Sequence, residues 1–494
     1  MSTPDHTKKV TSETPPLRRP GLVLAFLSMA GFMTFLDVSI VNVALPTIED
    51  DLNVPSTYLP YIVTTYGMML GGFLLLCGRL ADYFGRRLML QVGLIVFALT
   101  SLTAGLAQDA LMLIISRGVQ GLGAAFIATA ALSLLRNSFA EGAERNRALG
   151  VWGALSGIAA VAGVTLGGLL TDGPGWAWVF FINVPIGLGG ALAAPFILRE
   201  SRSTEQRRSF DVTGGVVLTA GLVLLIFSLG QTVDDQDVDP VLLYGGFAAA
   251  ALLLLAFLVI ESRSSSPLVP LGIFRRPMLR SANIVALLLL GNTVTLFFFA
   301  SLFMQQVLEY SPIRTGLAYL PLAVLTAVGA GIASNVVTRV AAKPVLLVGL
   351  TLTTIGMLLL WRLPADGSYL IDILPAFVVT GLGLGLSFVP LQISAFAGTT
   401  ERESGLAAGL INTSQEVGGA LGLAVAAAIS FRNVSELTSA AAGDPDLIRA
   451  ARVTVFHEAF LIGVGFLVVA FLVTLILLPF KRTSEQTDVS TPVA

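Results

Sequence analysis

The chain has 494 residues, of which 55% are hydrophobic and only 12% charged, with a mean hydropathy of +0.83. A soluble domain carries about 25% charged residues, so these values exclude an ordinary soluble globular protein and point to one that crosses a membrane many times. The single cysteine, Cys77, excludes a disulfide framework, and the net charge of -2 says less than the placement of the charges.

Residues 1–21 are polar, contain Lys8, Lys9, Arg18 and Arg19, and read as a disordered tail. The apolar stretch at 22–46 is too long for a signal-peptide core and reads as a first membrane helix. Thirteen further apolar runs of spanning length follow: 58–77, 88–107, 110–136, 148–170, 178–198, 212–230, 241–260, 281–308, 315–338, 343–361, 372–395, 404–430 and 458–480. Lipid offers no partner to unpaired backbone, so runs of this length are expected to be helices.

Lysine and arginine test the count. With a cytoplasmic N-terminus, 23 of the 29 basic residues fall in cytoplasmic segments, five in outer loops, and one, Arg117, inside a span. This asymmetry predicts fourteen spans with both termini in the cytoplasm. The expected outer loops carry acid instead, at Glu49, Asp50 and Asp51 and again at Asp234, Asp235, Asp237 and Asp239. Arginine exceeds lysine, and alanine and glycine are abundant, which hints at a GC-rich bacterial genome.

The first span ends in Leu36-Asp37-Val38-Ser39-Ile40-Val41-Asn42-Val43-Ala44-Leu45-Pro46. A carboxylate within the bilayer costs about 2.5–3.5 kcal/mol on insertion scales, so Asp37 is expected to face a polar cavity or a partner. Asp37 lies nine residues before the outer end of span 1, and Arg117 seven residues after the outer start of span 4. At about 1.5 Å rise per residue both sit at nearly the same depth, where they could pair or share a water. Pairing would favour the carboxylate, and protonation of Asp37 would release Arg117. A permanent structural ion pair is the other reading.

Residues 78–90 read Gly-Arg-Leu-Ala-Asp-Tyr-Phe-Gly-Arg-Arg-Leu-Met-Leu and form a charged turn between two apolar runs. The pattern Gly-x-Leu-Ala-Asp-x-x-Gly-Arg-Arg resembles the loop between helices 2 and 3 of the major facilitator superfamily. Arg117-Gly118-Val119-Gln120-Gly121-Leu122-Gly123 is similar to that superfamily's fourth-helix motif. The Asp37 segment looks like the first helix of its fourteen-span drug:proton antiporters, with Ser39 at a usual threonine. Span 5, with Gly163, Gly167 and Gly168, resembles the antiporter motif Gly-x-x-x-Gly-Pro-x-x-Gly-Gly, but Ala159 and Val164 replace its first glycine and its proline. Plain close packing of helices explains the same glycines. The run Trp176-Ala177-Trp178-Val179-Phe180-Phe181-Ile182-Asn183-Val184-Pro185-Ile186-Gly187 resembles a fourteen-span signature and also fits an interfacial aromatic belt. Span 13 carries Asn412, Thr413, Ser414, Gln415 and Glu416 ahead of Gly418, Gly419 and Gly422, similar to an Asn-Thr…Gly-Gly-x-x-Gly helix of the family.

The resemblance implies an all-α membrane protein with two six-helix bundles, 22–203 and 271–480, an inserted hairpin at 204–270, and a tail at 481–494. It implies a proton-coupled exporter of drugs or other amphiphilic or cationic molecules, working by alternating access in a bacterial plasma membrane. A dedicated exporter of an endogenous metabolite or lipid is the alternative, with a membrane sensor or enzyme on the same scaffold behind it. Asp37 and Arg117 would couple protons. Gly78, Asp82, Gly85, Arg86 and Arg87 would form a cytoplasmic latch, although a positive-inside anchor also explains the arginines. Glu416, Gln415, Asn412, Asn292 and Gln120 would line a substrate cavity; a neutral, hydrogen-bonded glutamate is the bland reading of Glu416. Phe297, Phe298, Phe299 and Phe303 fit a pocket or a lipid face equally well.

His6 and His457 lie in polar segments and suggest no metal site. No phosphate-loop, His-Glu-x-x-His or Gly-x-Ser-x-Gly motif occurs, so ATP, metal, cofactor, nucleic acid and enzymatic chemistry are not expected. The expected partners are a small-molecule substrate, protons and the bilayer.

Overall fold

The computed structural model describes residues 20–55, 58–139, 143–201, 212–231, 240–264, 267, 269, 271–397, 401–431 and 445–480. Both tails, the acidic cluster at 234–239, and the junctions expected at 203–204 and 270 lie outside them. The described residues form helices and turns, with no strand among them.

In chain order the helices are α1 (Pro20–Leu52), α2 (Leu59–Phe84), α3 (Arg86–Gly105), α4 (Ala110–Ser138), α5 (Ala143–Asp172), α6 (Trp178–Phe181), α7 (Asn183–Ile197), α8 (Val212–Gln231), α9 (Pro240–Arg263), α10 (Pro277–Gln306), α11 (Pro312–Ala318), α12 (Leu320–Val340), α13 (Ala342–Leu360), α14 (Leu374–Phe396), α15 (Glu401–Ser430) and α16 (Pro445–Leu477). Ten helical segments among the described residues are long and apolar enough to cross a membrane, and the bent α2 makes an eleventh. The expected count of fourteen is therefore not reached by length and hydropathy alone. α5 and α15, of 30 residues each, and α8, of 20, are the remaining long helices.

Several expected boundaries move. The charged turn after Cys77 is mostly helix: α2 continues to Phe84 and α3 begins at Arg86, so Gly85 alone separates them. Its φ of 121° lies in a region that side chains with a Cβ rarely adopt. Hydropathy ended the run early because the last two turns of α2 carry Arg79 and Asp82. The sixth run breaks at Ile182 into α6 and α7, and the tenth at Tyr319 into α11 and α12. His457, expected in a polar loop, lies within α16 and contacts the Leu363 carbonyl oxygen at 2.8 Å.

Packing sorts the helices. α1 packs on α5 and α4, α2 on α4, and α3 on α4 and α7. α10 packs on α15 and α16, α13 on α14 and α16, and α12 on α14. The two sets meet where α2 touches α15, where α5 touches α11 and α12, and where α1 touches α10. α8 lies along α2 and α15, with α9 against its far side. Its Leu222 and Ile226 pack with Met68 of α2 and with Ala420 and Ala424 of α15. The hairpin thus covers the α2–α15 seam.

The end of the molecule near Glu49 is tightly tied. Gln306 of α10 donates to Glu49 at 2.7 Å, Ser301 to the Asn42 carbonyl at 3.0 Å, and Gln305 to the Val43 carbonyl at 3.1 Å. On the other seam, the Ile313 backbone N–H donates to Asp172 at 3.2 Å.

Candidate functional site

α4 is short of polar residues, yet it places Arg117 and Gln120 three residues apart and so on one face. That face meets Asp37 of α1. Asp37 and Gln120 are fully enclosed, and Arg117 is 1% exposed. The Arg117 guanidinium pairs with Asp37 through Nη1, and the same nitrogen donates to Gln120 Oε1 at 2.6 Å. Gln120 Nε2 donates to Asp37 Oδ1 at 2.8 Å and to Ser101 Oγ of α3 at 2.8 Å. Asn183, the first residue of α7, donates to Asp37 Oδ1 at 3.2 Å. Arg117 Nε donates to the Ile62 carbonyl of α2 at 3.1 Å.

The charge is also ringed by aromatics. The guanidinium carbon lies 4.3 Å from the centroid of Tyr66 and 5.8 Å from that of Phe180, both within cation–π range. The Tyr66 hydroxyl donates to the Thr34 carbonyl at 3.2 Å, which holds the ring. Gly121 makes the approach possible: a Cβ there would stand 2.3 Å from the Tyr66 carbonyl oxygen.

The two intramembrane charges expected at one depth are thus in contact. Gln120, expected to line the cavity, is instead enclosed with them, because its position one turn from Arg117 aims it at the same partner. Asn292 is fully buried, its amide atoms have no hydrogen-bond partner among the described residues, and a Cβ on Gly463 of α16 would meet its Oδ1 at 2.7 Å. Ser101, Asn183, Tyr66 and Phe180 were missed as partners of this cluster. Asn183 and Phe180 had a signal, since both stand in the Trp176–Gly187 run; Ser101 and Tyr66 had none.

Glu416 is half-buried and carries no ion pair or hydrogen bond among the described residues. It stands at the α2–α15 seam. A Cβ at Gly67 would lie 3.8 Å from its Oε2, and one at Gly71 only 2.7 Å from its Cβ. Asn412 and Gln415 are half-buried on the same helix.

At the opposite end, Asp82 accepts two hydrogen bonds from Arg86, at 2.9 and 2.7 Å. Glu200, after α7, was not foreseen. Its carboxylate accepts from the backbone N–H groups of Arg87 at 3.1 Å and Leu88 at 3.2 Å and lies 3.7 Å from the Arg87 side chain. It caps α3, where the helix dipole favours negative charge. Gly78 faces Thr129 of α4, where a Cβ would find ordinary contact at 3.8 Å. The span-5 glycines are close-packing points. A Cβ at Gly163 would strike Ser39 of α1, and one at Gly167 would come within 2.6 Å of the Ile40 carbonyl oxygen. One at Gly168 would be 2.6 Å from Ile313 of α11.

The family model described as Major Facilitator Superfamily matches residues 27–423. The chain is 35% identical to a puromycin resistance protein of Streptomyces alboniger, over 94% of this chain and 91% of that one. It is 38% identical to a cephamycin export protein of Amycolatopsis lactamdurans, over 82% and 83% of the two chains. It is 34% identical to a tetracenomycin C resistance and export protein of Streptomyces glaucescens, over 85% and 77%. Among solved structures, a bacterial homolog of the human lysosomal transporter Spinster, inward-facing and unoccupied, superposes with a TM-score of 0.65 at 15% identity, covering 93% of this chain and 98% of the other. The nucleoside transporter NupG gives 0.63 at 11% identity, covering 92% and 100%. These two likenesses concern the fold.

Proposed function

Since the chain belongs to the Major Facilitator Superfamily, whose fold is that of transporters rather than enzymes, we propose that it is a fourteen-span secondary exporter of drug-like, amphiphilic or cationic molecules, driven by proton re-entry. The proposed organisation is two six-helix bundles with α8 and α9 inserted between them and both termini in the cytoplasm. The count of fourteen rests on the distribution of arginine and lysine, and on reading α5, α8 and α15, of 30, 20 and 30 residues, as spans as well. Resistance and export relatives from actinobacteria support the substrate class.

One observation carries the coupling: Asp37 is a fully enclosed carboxylate whose charge is balanced by Arg117. A group that exchanges a proton within a membrane must be affordable in both charge states. Asp37 ties α1 to α4, α3 and α7 while it is ionised, through three N–H donors aimed at its two oxygens. A proton there turns an acceptor into a donor and loosens those ties, giving the proton a mechanical effect on α1. α1 in turn meets α10 at the Glu49 end, so the same helix carries both the proton site and a seam between the sets. The Glu49 end, expected to face outward, is the closed one. Opening it would need the α1–α10 and α5–α11 contacts to part. Glu416, on the opposite seam, would attract a cationic substrate, and Asp82 and Arg86 would act in the latch.

The test is transport by purified protein in sealed vesicles, with an imposed proton gradient as the only energy source. Export of a single compound is the second reading, favoured by relatives whose names each carry one antibiotic. A resistance screen over many compounds separates breadth from dedication.

A further inference from the structure

Protonation of Asp37 makes two demands on an enclosed cluster. Arg117 stays charged under all ordinary conditions, so it loses its counter-ion while 1% exposed. The new O–H needs an acceptor, yet the groups now aimed at Asp37 from Arg117, Gln120 and Asn183 are N–H donors. The surroundings answer both. Asn183 Oδ1 is buried with no hydrogen-bond partner among the described residues, and a half-turn of its amide would present it to Asp37. Without Asp37, the guanidinium keeps the Ile62 carbonyl, Gln120 Oε1 and the rings of Tyr66 and Phe180.

We propose that Tyr66 and Phe180 form an aromatic seat that holds the Arg117 guanidinium in place while Asp37 is neutral. Proton uptake then frees α1 from α4 but leaves α4 fastened to α2. This rests on the reading of Asp37 as the proton-binding carboxylate and revises the simpler expectation that protonation releases Arg117. The step is a proton transfer alone: one O–H bond forms on Asp37, the proton comes from water, and Arg117 keeps its charge. A seated cation also keeps a counter-charge in place for Asp37 when its carboxylate ionises again.

The seat is specific to this position. A desolvated cation over an aromatic face is held more strongly than one in water, and this guanidinium has two such faces. Tyr66 is fixed by its hydrogen bond to Thr34 and by the close passage of Gly121. Phe180 is fully enclosed between the breaks that bound α6. The charged and titratable groups on the packed helices are few. Asp37, Arg117 and Tyr66 meet directly, and Glu416 of α15 lies within electrostatic reach of Tyr66. α3, α6 and α7 contribute Ser101, Phe180 and Asn183, none of which titrates.

The test is NMR of the full chain in detergent with isotope-labelled arginine, following hydrogen exchange at the Nε–H signal that Arg117→Lys removes. Slow exchange is expected in the wild type, in Tyr66→Leu, where Asp37 still holds the guanidinium, and in Asp37→Asn, where the seat does. In Asp37→Asn/Tyr66→Leu exchange should quicken by about tenfold or more, the size of one desolvated cation–π contact. Asp37→Asn/Tyr66→Phe should restore slow exchange, because it keeps the ring and loses only the hydroxyl. If Tyr66→Leu does not fold, Phe180→Leu in the Asp37→Asn background makes the same comparison. Fast exchange in Asp37→Asn alone, or slow exchange in the double variant, overturns the seat. Failure of the coupling reading would appear elsewhere, as Asp37→Asn protein that still transports uphill with the arginine signals unchanged.

Discussion

Gly168 of α5 lies directly against Ile313 of α11, so that a Cβ on the glycine would stand 2.6 Å from the Ile313 Cα and 2.6 Å from the Pro312 carbonyl oxygen. Backbone cannot give way as a flexible side chain can. Gly168→Val should therefore part the α5–α11 seam, at an overpacking penalty of about 1–3 kcal/mol. The expected outcome is a lower melting temperature, together with faster labelling of a cysteine placed at Gln306 by a membrane-impermeant maleimide. Unchanged labelling would mean that the Glu49 end does not depend on this contact.

Glu200→Ala should destabilise the chain by about 0.5–2 kcal/mol, since the carboxylate caps two backbone N–H groups of α3. Glu200→Gln keeps an acceptor oxygen and should lose less. Thermal unfolding of the purified variants gives the ranking. An equal loss in both would assign the effect to the Arg87 ion pair instead of the cap.

The site was legible in part, and the residues show why. Asp37 and Arg117 could be matched because depth in a bilayer follows from counting along two helices. Rotation about a helix axis does not follow when the helix is apolar all round, as α10 is near Asn292, so the sequence does not tell which neighbour that residue meets. The spacing of Gln120 from Arg117 already placed the two on the same face. Glu200 gave no signal: it follows a helix end, and the backbone it caps is far away in sequence. Helix ends also ran past the apolar runs, because helix propensity and hydrogen bonding continue through polar residues such as Arg79 and Asp82. α5 and α15 were legible as long helices from their apolar runs and from the charges that bound them.

Glu416→Gln should weaken export of cationic compounds more than that of neutral ones while leaving expression unchanged. The carboxylate sits at the α2–α15 seam without an ion pair among the described residues, so its charge is available to a ligand. Efflux of a matched cationic and neutral pair from cells lacking other pumps reads the contrast. Equal losses would reject charge recognition, and no loss would make Glu416 a polar packing residue.

Fourteen spans with both termini inside require that reporters fused after Ser12 and Thr487 both register the cytoplasm. The arginine and lysine distribution motivates this. Reporters on opposite sides would require an odd number of crossings.

The most direct measurement concerns Asp37→Asn. The amide removes the titrating group while leaving Arg117 with Gln120, the Ile62 carbonyl and two aromatic rings, so the variant should fold and insert. Reconstituted into sealed vesicles with an outward-acidic proton gradient, wild-type protein should drive a transported compound uphill. The variant should only let it equilibrate, moving compound down its own gradient and ignoring the proton gradient. If Asp37→Asn accumulates compound against its gradient as well as the wild type does, Asp37 is not the coupling carboxylate and its pair with Arg117 is structural.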